Sequence, residues 1–323
     1  MSHPPYHLRV NKAADRFALI EAIRRLHRLD GDLEEYTYYG LGGAYLEDAR
    51  LLYEFCPEIA MVSIEESPEI FKRQQFHRPC AAGTLQLTNN TLTSFIATYE
   101  TSDKKSIFWL DYTGLRYACF QDFTALLGKI PIGSMVKITL RADPRDYWNK
   151  PPRVQKAKSE EFQGEFAAVL PASFISIPRQ YEDFSHLVQQ MLQIAAQQAL
   201  PAQATTLAFH PVSSFYYSDG TWMFTLTGVV WPRAETAKIE KAFDGWEFAN
   251  MTWAKPKLIE IPILSTKERL RLQGLLPCGT PRGKTLHAEL GYLIDKDALT
   301  TESALDQYAA FHRYSPYFMQ GIP

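Results

Sequence analysis

Cysteine is scarce. The 323 residues hold four, Cys56, Cys80, Cys119 and Cys278, and no two form a CxxC pair. That spacing gives no signature of a structural zinc site or a dithiol redox centre, and free or buried thiols in a reducing compartment are expected. Long apolar runs are missing too. No stretch of 18 apolar residues occurs, so no membrane-spanning helix is expected. Met1–Lys12 has no apolar core of the signal-peptide kind. A large charge of one sign is also lacking: 34 Lys and Arg against 36 Asp and Glu give a formal net charge of -2. The whole molecule therefore exerts little long-range pull on nucleic acid or membrane. No G-x-x-x-x-G-K-[ST] loop is present, which excludes a Walker A phosphate cradle. The chain reads as cytoplasmic and free of metal.

What is present is ample core. Hydrophobic residues make up 46% of the chain, enough for one large or two domains. The rest is organised around residues 36–66. Tyr36, Thr37, Tyr38 and Tyr39 are β-branched or aromatic and suit a buried strand. Gly40, Gly42 and Gly43 follow at once, where the backbone must turn tightly. A helix is expected from near Ala44 to Phe55, with Leu46, Ala49, Leu52 and Phe55 on one face. Ala60–Ile64 is a second strand, and Glu65 and Glu66 stand at its carboxyl end. This is half of a nucleotide-binding α/β unit, with an acid where a ribose would lie. Two further strands are expected at Thr84–Leu87 and Ser106–Asp111, and a fifth at Ser134–Leu140. Asn89 and Asn90 follow the third; Asp111 and Tyr112 end the fourth. Short connections and alternating helices imply a parallel, doubly wound sheet. Ahead of it, Ala13–Leu29 is an amphipathic helix.

Residues 141–158 carry three prolines and a run of basic residues and read as a loop or boundary. Tyr181–Leu200 is a helix. Thr205–Phe209 and Trp222–Trp231, joined through Ser218-Asp219-Gly220, form a β-pair. Beyond residue 233 the pattern becomes mixed. The expected division is a domain over 1–232, with an inserted segment near 141–200, and a C-terminal α/β extension over 233–323 for substrate or partner binding.

A dinucleotide fingerprint starting at Gly40 needs a small third residue, and Tyr45 stands there. That departure argues against NAD. The order of strand, Gly40-x-Gly42-Gly43, helix, second-strand acid, third-strand polar residue and fourth-strand acid resembles the class I S-adenosylmethionine-dependent methyltransferases. Tyr39–Gly43 and Ser63–Glu65 are also similar to a bacterial group of O-methyltransferases. The resemblance implies a Rossmann-like, mostly parallel seven-stranded sheet with an antiparallel edge hairpin. It implies S-adenosylmethionine as cofactor, with Gly40, Gly42 and Gly43 under its methionine part. Glu65, or Glu66 one residue on, would hold the ribose hydroxyls, and Asn89 or Asn90 would sit by the adenine. Asp111 and Tyr112 would stand where substrate and methyl group meet.

The acceptor is an oxygen or nitrogen left open by the residues. Asp111-Tyr112-Thr113-Gly114 lacks the prolines of the DNA amino-methylating motif, and the Pro79-Cys80 pair follows a helix in the wrong place for cytosine C5 chemistry. Asp111, Tyr112 or His210 could take a proton. Lys255–Lys284, with seven Lys and Arg against two acids near Trp246 and Trp253, raises nucleic acid as a partner. The alternative to an enzyme is a catalytically silent methyltransferase-like binding subunit of a larger assembly, one with a protein partner and an association with nucleic acid.

Overall fold

A computed structural model describes residues 9–79, 84–101, 104–148 and 151–313. Cys80, the first eight residues and the tail from Tyr314 lie outside them. The chain opens with α1 (Val10–Asp30) and continues β1 (Tyr36–Gly40), α2 (Glu47–Phe55), β2 (Ala60–Glu65), α3 (Pro68–His77), β3 (Leu85–Asn89), α4 (Leu92–Thr98), β4 (Lys105–Asp111), α5 (Tyr117–Leu127) and β5 (Met135–Arg141). Then come α6 (Arg145–Trp148), α7 (Pro152–Phe166), α8 (Tyr181–Ala199), β6 (Leu207–Ser218), β7 (Trp222–Pro232), α9 (Thr236–Ala242), β8 (Lys257–Ile259), α10 (Thr266–Gln273), α11 (Arg282–Leu290) and α12 (Ala298–Phe311).

The strands form one sheet in the order β3-β2-β1-β4-β5-β7-β6-β8. β1 to β5 are parallel, and β7 runs antiparallel to β5. The doubly wound, mostly parallel sheet with a reversed hairpin is therefore present, with eight strands in place of seven. Parallel strands need covered faces. β4 lies between β1 and β5, and Ser106 to Leu110 are all buried. One of its faces, Phe108 and Leu110, meets Val136, Ile138 and Leu140 of β5, Phe120 and Phe123 of α5, and Phe184, Val188 and Met191 of α8 in a single core. Each such side chain contributes about 1.5–3 kcal/mol by leaving water. The other face is more polar. The Trp109 indole N–H donates to Thr139 Oγ1 at 2.9 Å, and the buried Lys137 ammonium lies 5.2 Å from the Trp109 ring centre.

Several expectations shift. Residues 141–158 are not one loop: α6 and α7 occupy much of them. Pro152 stands in the first turn of α7, where its missing N–H costs nothing, so a proline here starts a helix. The strand expected over 205–209 runs instead from Leu207 to Ser218. Pro211 falls in the first half of this strand, which borders only the short β8 on its outer side, and there a missing donor is tolerated. The amphipathic helix buries charge as well: Arg16 and Asp15 of α1 are both buried.

Contacts group the described residues into two compact units, the larger within 19–216 and 221–257, the smaller within 9–18, 217–220 and 258–313. Within the smaller, Asp219 accepts the Asn11 and Lys12 amides at 3.3 and 2.8 Å. That long-range carboxylate satisfies donors at the start of α1. Ser265 and Glu268 form a capping box on α10. The larger unit carries the sheet's parallel strands and the site.

Candidate functional site

The site is built where the parallel strands end. β1 stops at Gly40, and the chain then turns through positive φ at Gly42 (+61°), Gly43 (+55°) and Leu46 (+54°). Those left-handed residues delay the helix, so α2 begins at Glu47 and not near Ala44. The Gly43 amide bonds back to the Leu41 carbonyl at 2.6 Å, a three-residue turn centred on Gly42. Space is as restrictive as φ. A Cβ at Gly42 would sit 2.7 Å from Ser63 Oγ, and one at Gly40 would meet the Tyr38 hydroxyl. The room these glycines leave is thus shared with the protein's own side chains. Tyr45 turns to α3, where its hydroxyl accepts from Arg73 at 2.8 Å and its ring faces that guanidinium.

Glu65 ends β2, two residues past Ser63, which pairs in register with Gly40. It is 9% exposed, whereas Glu66 lies open to solvent. Glu65 Oε1 accepts the Ser67 amide at 2.8 Å. Burial raises its pKa above the ordinary glutamate value; the Ser67 amide opposes this and the Glu66 charge adds to it. A desolvated carboxylate at a strand end is costly unless something uses it.

The third strand's residues have structural duties. Asn89 Nδ2 donates to the Glu65 carbonyl at 2.6 Å. The Asn90 amide donates to the same carbonyl at 3.1 Å, and its Oδ1 accepts from the Thr91 amide at 2.9 Å. Together they fasten the end of β3 to the end of β2. Thr91, not Asn90, caps α4.

Asp111 and Tyr112 diverge. Asp111 closes β4 opposite Thr139 and is half-buried. The Tyr112 hydroxyl donates to Asp122 Oδ2 at 2.8 Å, and Thr93 Oγ1 donates to the same oxygen at 2.8 Å. Burial, then the Asp122 charge, pushes the Tyr112 phenol far above its ordinary pKa. A phenol so held is a poor proton acceptor. Tyr112→Phe is expected to cost about 1–3 kcal/mol of stability through the lost hydrogen bond, read by denaturant unfolding. Cofactor affinity should stay within about twofold; a large loss of affinity would place the hydroxyl at the ligand.

His210 lies elsewhere. It lines a cleft of about 190 Å³ with Gln193, Gln197, Phe209, Arg233 and Trp253. Because β7 runs against β5, the Trp231–Arg233 end of β7 lies beside the start of β5, far from Asp111. Burial lowers the His210 pKa, and its Nε2 lies 3.2 Å from the Trp231 carbonyl.

Sequence reasoning missed Gln74. It is fully buried on α3. Its Nε2 donates to Leu41 O at 3.1 Å and Gly43 O at 3.0 Å, while Oε1 accepts from Ser63 Oγ at 3.2 Å. The apolar residues of α3 are a poor guide to its inward face: Phe76 is 86% exposed. Gln74 falls three and four residues after Phe71 and Ile70, on the stripe that faces inward. A polar residue there signals a buried, satisfied amide.

A tight glycine turn, a buried acid two residues past the strand pair that carries it, and an acid ending β4 lie on adjacent parallel strands at one end of the sheet. The carboxylate of Glu65 has the chemistry to accept two vicinal hydroxyls, so the residues fit a nucleoside-bearing cofactor. Among the described residues no group of three or more His, Cys, Asp or Glu could hold a metal ion.

A family model described as "Putative O-methyltransferase" matches residues 4–322. No curated protein matches the sequence. Similar solved structures include Trm1 from Pyrococcus horikoshii in complex with S-adenosyl-L-methionine. It shares 11% identity at a TM-score of 0.47, over 71% of this chain and 57% of that one. The plantazolicin methyltransferase BamL, solved with SAH, shares 8% at 0.43, over 69% and 88%. A fibrillarin/Nop5p complex shares 10% at 0.34, over 61% and 73%. At such identities none of them assigns a residue. The match over nearly the whole length does decide the family: this chain belongs to the O-methyltransferase family so described and is an S-adenosylmethionine-dependent methyltransferase of Rossmann-like fold.

Proposed function

We propose that the cofactor lies across the ends of β1, β2 and β3, and that an oxygen acceptor meets it at the end of β4. Gly40, Gly42 and Gly43 would pass beneath the methionine part, Glu65 would hold the ribose hydroxyls, and Asn89 and Asn90 would border the adenine. When bound, the cofactor supplies a methyl group on a positively charged sulfur. Asp111 would orient the acceptor and take up its proton. Tyr112 would act behind it, fixing the β4 end to α5 through Asp122. The family description supports an oxygen over a nitrogen acceptor. The observation that carries the assignment is Glu65, a buried acid at a strand end whose carboxylate meets only the backbone amides of Ser67 and Glu66 among the described residues.

Hydrogen exchange with and without S-adenosylmethionine tests the placement. Protection is expected over residues 40–46, 64–67, 88–91 and 109–113. Protection confined to the His210 cleft would overturn it.

Nucleic acid is not required by this reading. Lys255 pairs with Asp183 at 2.8 Å, Arg271 with Glu289 at 2.6 Å and Arg282 with Asp306 at 3.4 Å. Acids thus offset much of the positive charge counted in 255–284. No helix among the described residues is long and apolar enough to cross a membrane.

A further inference from the structure

The glycine turn is held from behind by one side chain. Gln74 spends both amide hydrogens on it, one on Leu41 O and one on Gly43 O. Ser63 Oγ donates to Gln74 Oε1 at 3.2 Å, although a hydroxyl could serve either end of the amide. Reversing the amide would set its oxygen against two carbonyls, so the orientation follows from the network.

The consequence lies on the opposite side of the turn. A trans peptide points its carbonyl and the following N–H in opposite directions. With Leu41 O drawn towards Gln74, the Gly42 amide points away from it. With Gly43 O drawn the same way, so does the Ala44 amide. Neither amide finds an acceptor among the described residues, and Gly42, Gly43 and Ala44 are all half-exposed. Two outward amides two residues apart, on a turn of consecutive left-handed glycines, leave two donors facing away from Gln74 and available to an anion.

We infer that Gln74 is a positioning residue for the amino-acid half of the cofactor: it holds two carbonyls inward and so presents the Gly42 and Ala44 amides to a carboxylate. This rests on the cofactor placement above. The alternative is that Gln74 merely satisfies buried carbonyls. The two differ in what they predict for a ligand without a carboxylate.

S-adenosylhomocysteine carries the carboxylate, and 5'-methylthioadenosine shares the nucleoside and sulfur but lacks the amino-acid end. Calorimetry with both would be run on wild type, Gln74→Leu and Ser63→Ala. Gln74→Leu is expected to weaken S-adenosylhomocysteine about tenfold and leave 5'-methylthioadenosine within about twofold. Ser63→Ala, which loosens the clamp without emptying it, should shift the first ligand in the same direction by about two- to threefold. Exchange of the Gly42 and Ala44 amides, read without ligand, should quicken in Gln74→Leu. Retained 5'-methylthioadenosine binding shows that the variant is folded; should Gln74→Leu unfold, Ser63→Ala carries the comparison. Equal weakening of both ligands, or of neither, overturns the inference and leaves the cofactor placement standing. If wild type binds neither nucleoside, the placement falls and takes this inference with it.

Discussion

Glu65→Ala is expected to weaken S-adenosylmethionine binding by about 10–100-fold, the loss of one to two charge-assisted hydrogen bonds. The same change should leave the fold as stable as wild type, or slightly more so. The sign follows from the raised pKa of Glu65, which burial causes. A carboxyl whose folded pKa lies above its unfolded value holds its proton more tightly when folded. Its contribution to stability is most favourable at low pH and falls as pH rises from the unfolded pKa through the folded one. At neutral pH the ionised group is therefore a cost to the fold, and removing it relieves that cost. The ligand requires the opposite state, since ribose hydroxyls donate to a carboxylate. Affinity should fall as pH drops through the raised pKa, and Glu65→Gln should flatten that dependence. Calorimetry across pH, with thermal melts of each variant, reads both effects. Unchanged affinity in Glu65→Ala, or a large drop in melting temperature with binding intact, would make Glu65 a structural acid.

Gly42→Ala is expected to cost about 1–3 kcal/mol of stability and to lower cofactor affinity about tenfold or more. Two independent constraints meet at this residue. Its φ of +61° is one that side chains rarely adopt, and a Cβ would lie 2.7 Å from Ser63 Oγ and 3.1 Å from Leu46 Cδ2. Ser63 cannot simply move aside, because it anchors Gln74. Relief must come from the turn itself, and that moves the amides on its outer side. Denaturant unfolding measures the first effect and calorimetry the second. A variant of wild-type stability and wild-type affinity would show that the turn has a freedom these contacts deny it.

The parallel sheet was legible in the chain because its strands are short apolar runs separated by helical periodicity, and β4 is nearly continuous in buried residues. The order of glycine turn, Glu65, Asn89–Asn90 and Asp111 could be read because each follows a strand, and strand ends converge in such sheets. Finer detail escaped because it depends on tertiary partners. Tyr112 is next to Asp111 in sequence, yet successive residues at a strand end face opposite ways, and Asp122, ten residues on, claims its hydroxyl. Gln74 lies on the inward stripe of α3, but the two carbonyls it binds belong to a turn 31 and 33 residues before it, and helical spacing cannot name them. His210 looked like a base, but the reversal of β7 sets its neighbours at the far end of the sheet. The helix expected at Ala44 starts three residues later because Leu46, an unusual residue for a left-handed conformation, ends the turn.

The account stands or falls on one titration: S-adenosylmethionine into the folded chain, followed by calorimetry, with NAD as the parallel ligand. A single saturable site for S-adenosylmethionine, and no heat with NAD, is the predicted result. No heat with S-adenosylmethionine from a sample shown to be folded, or binding of NAD in its place, would contradict it.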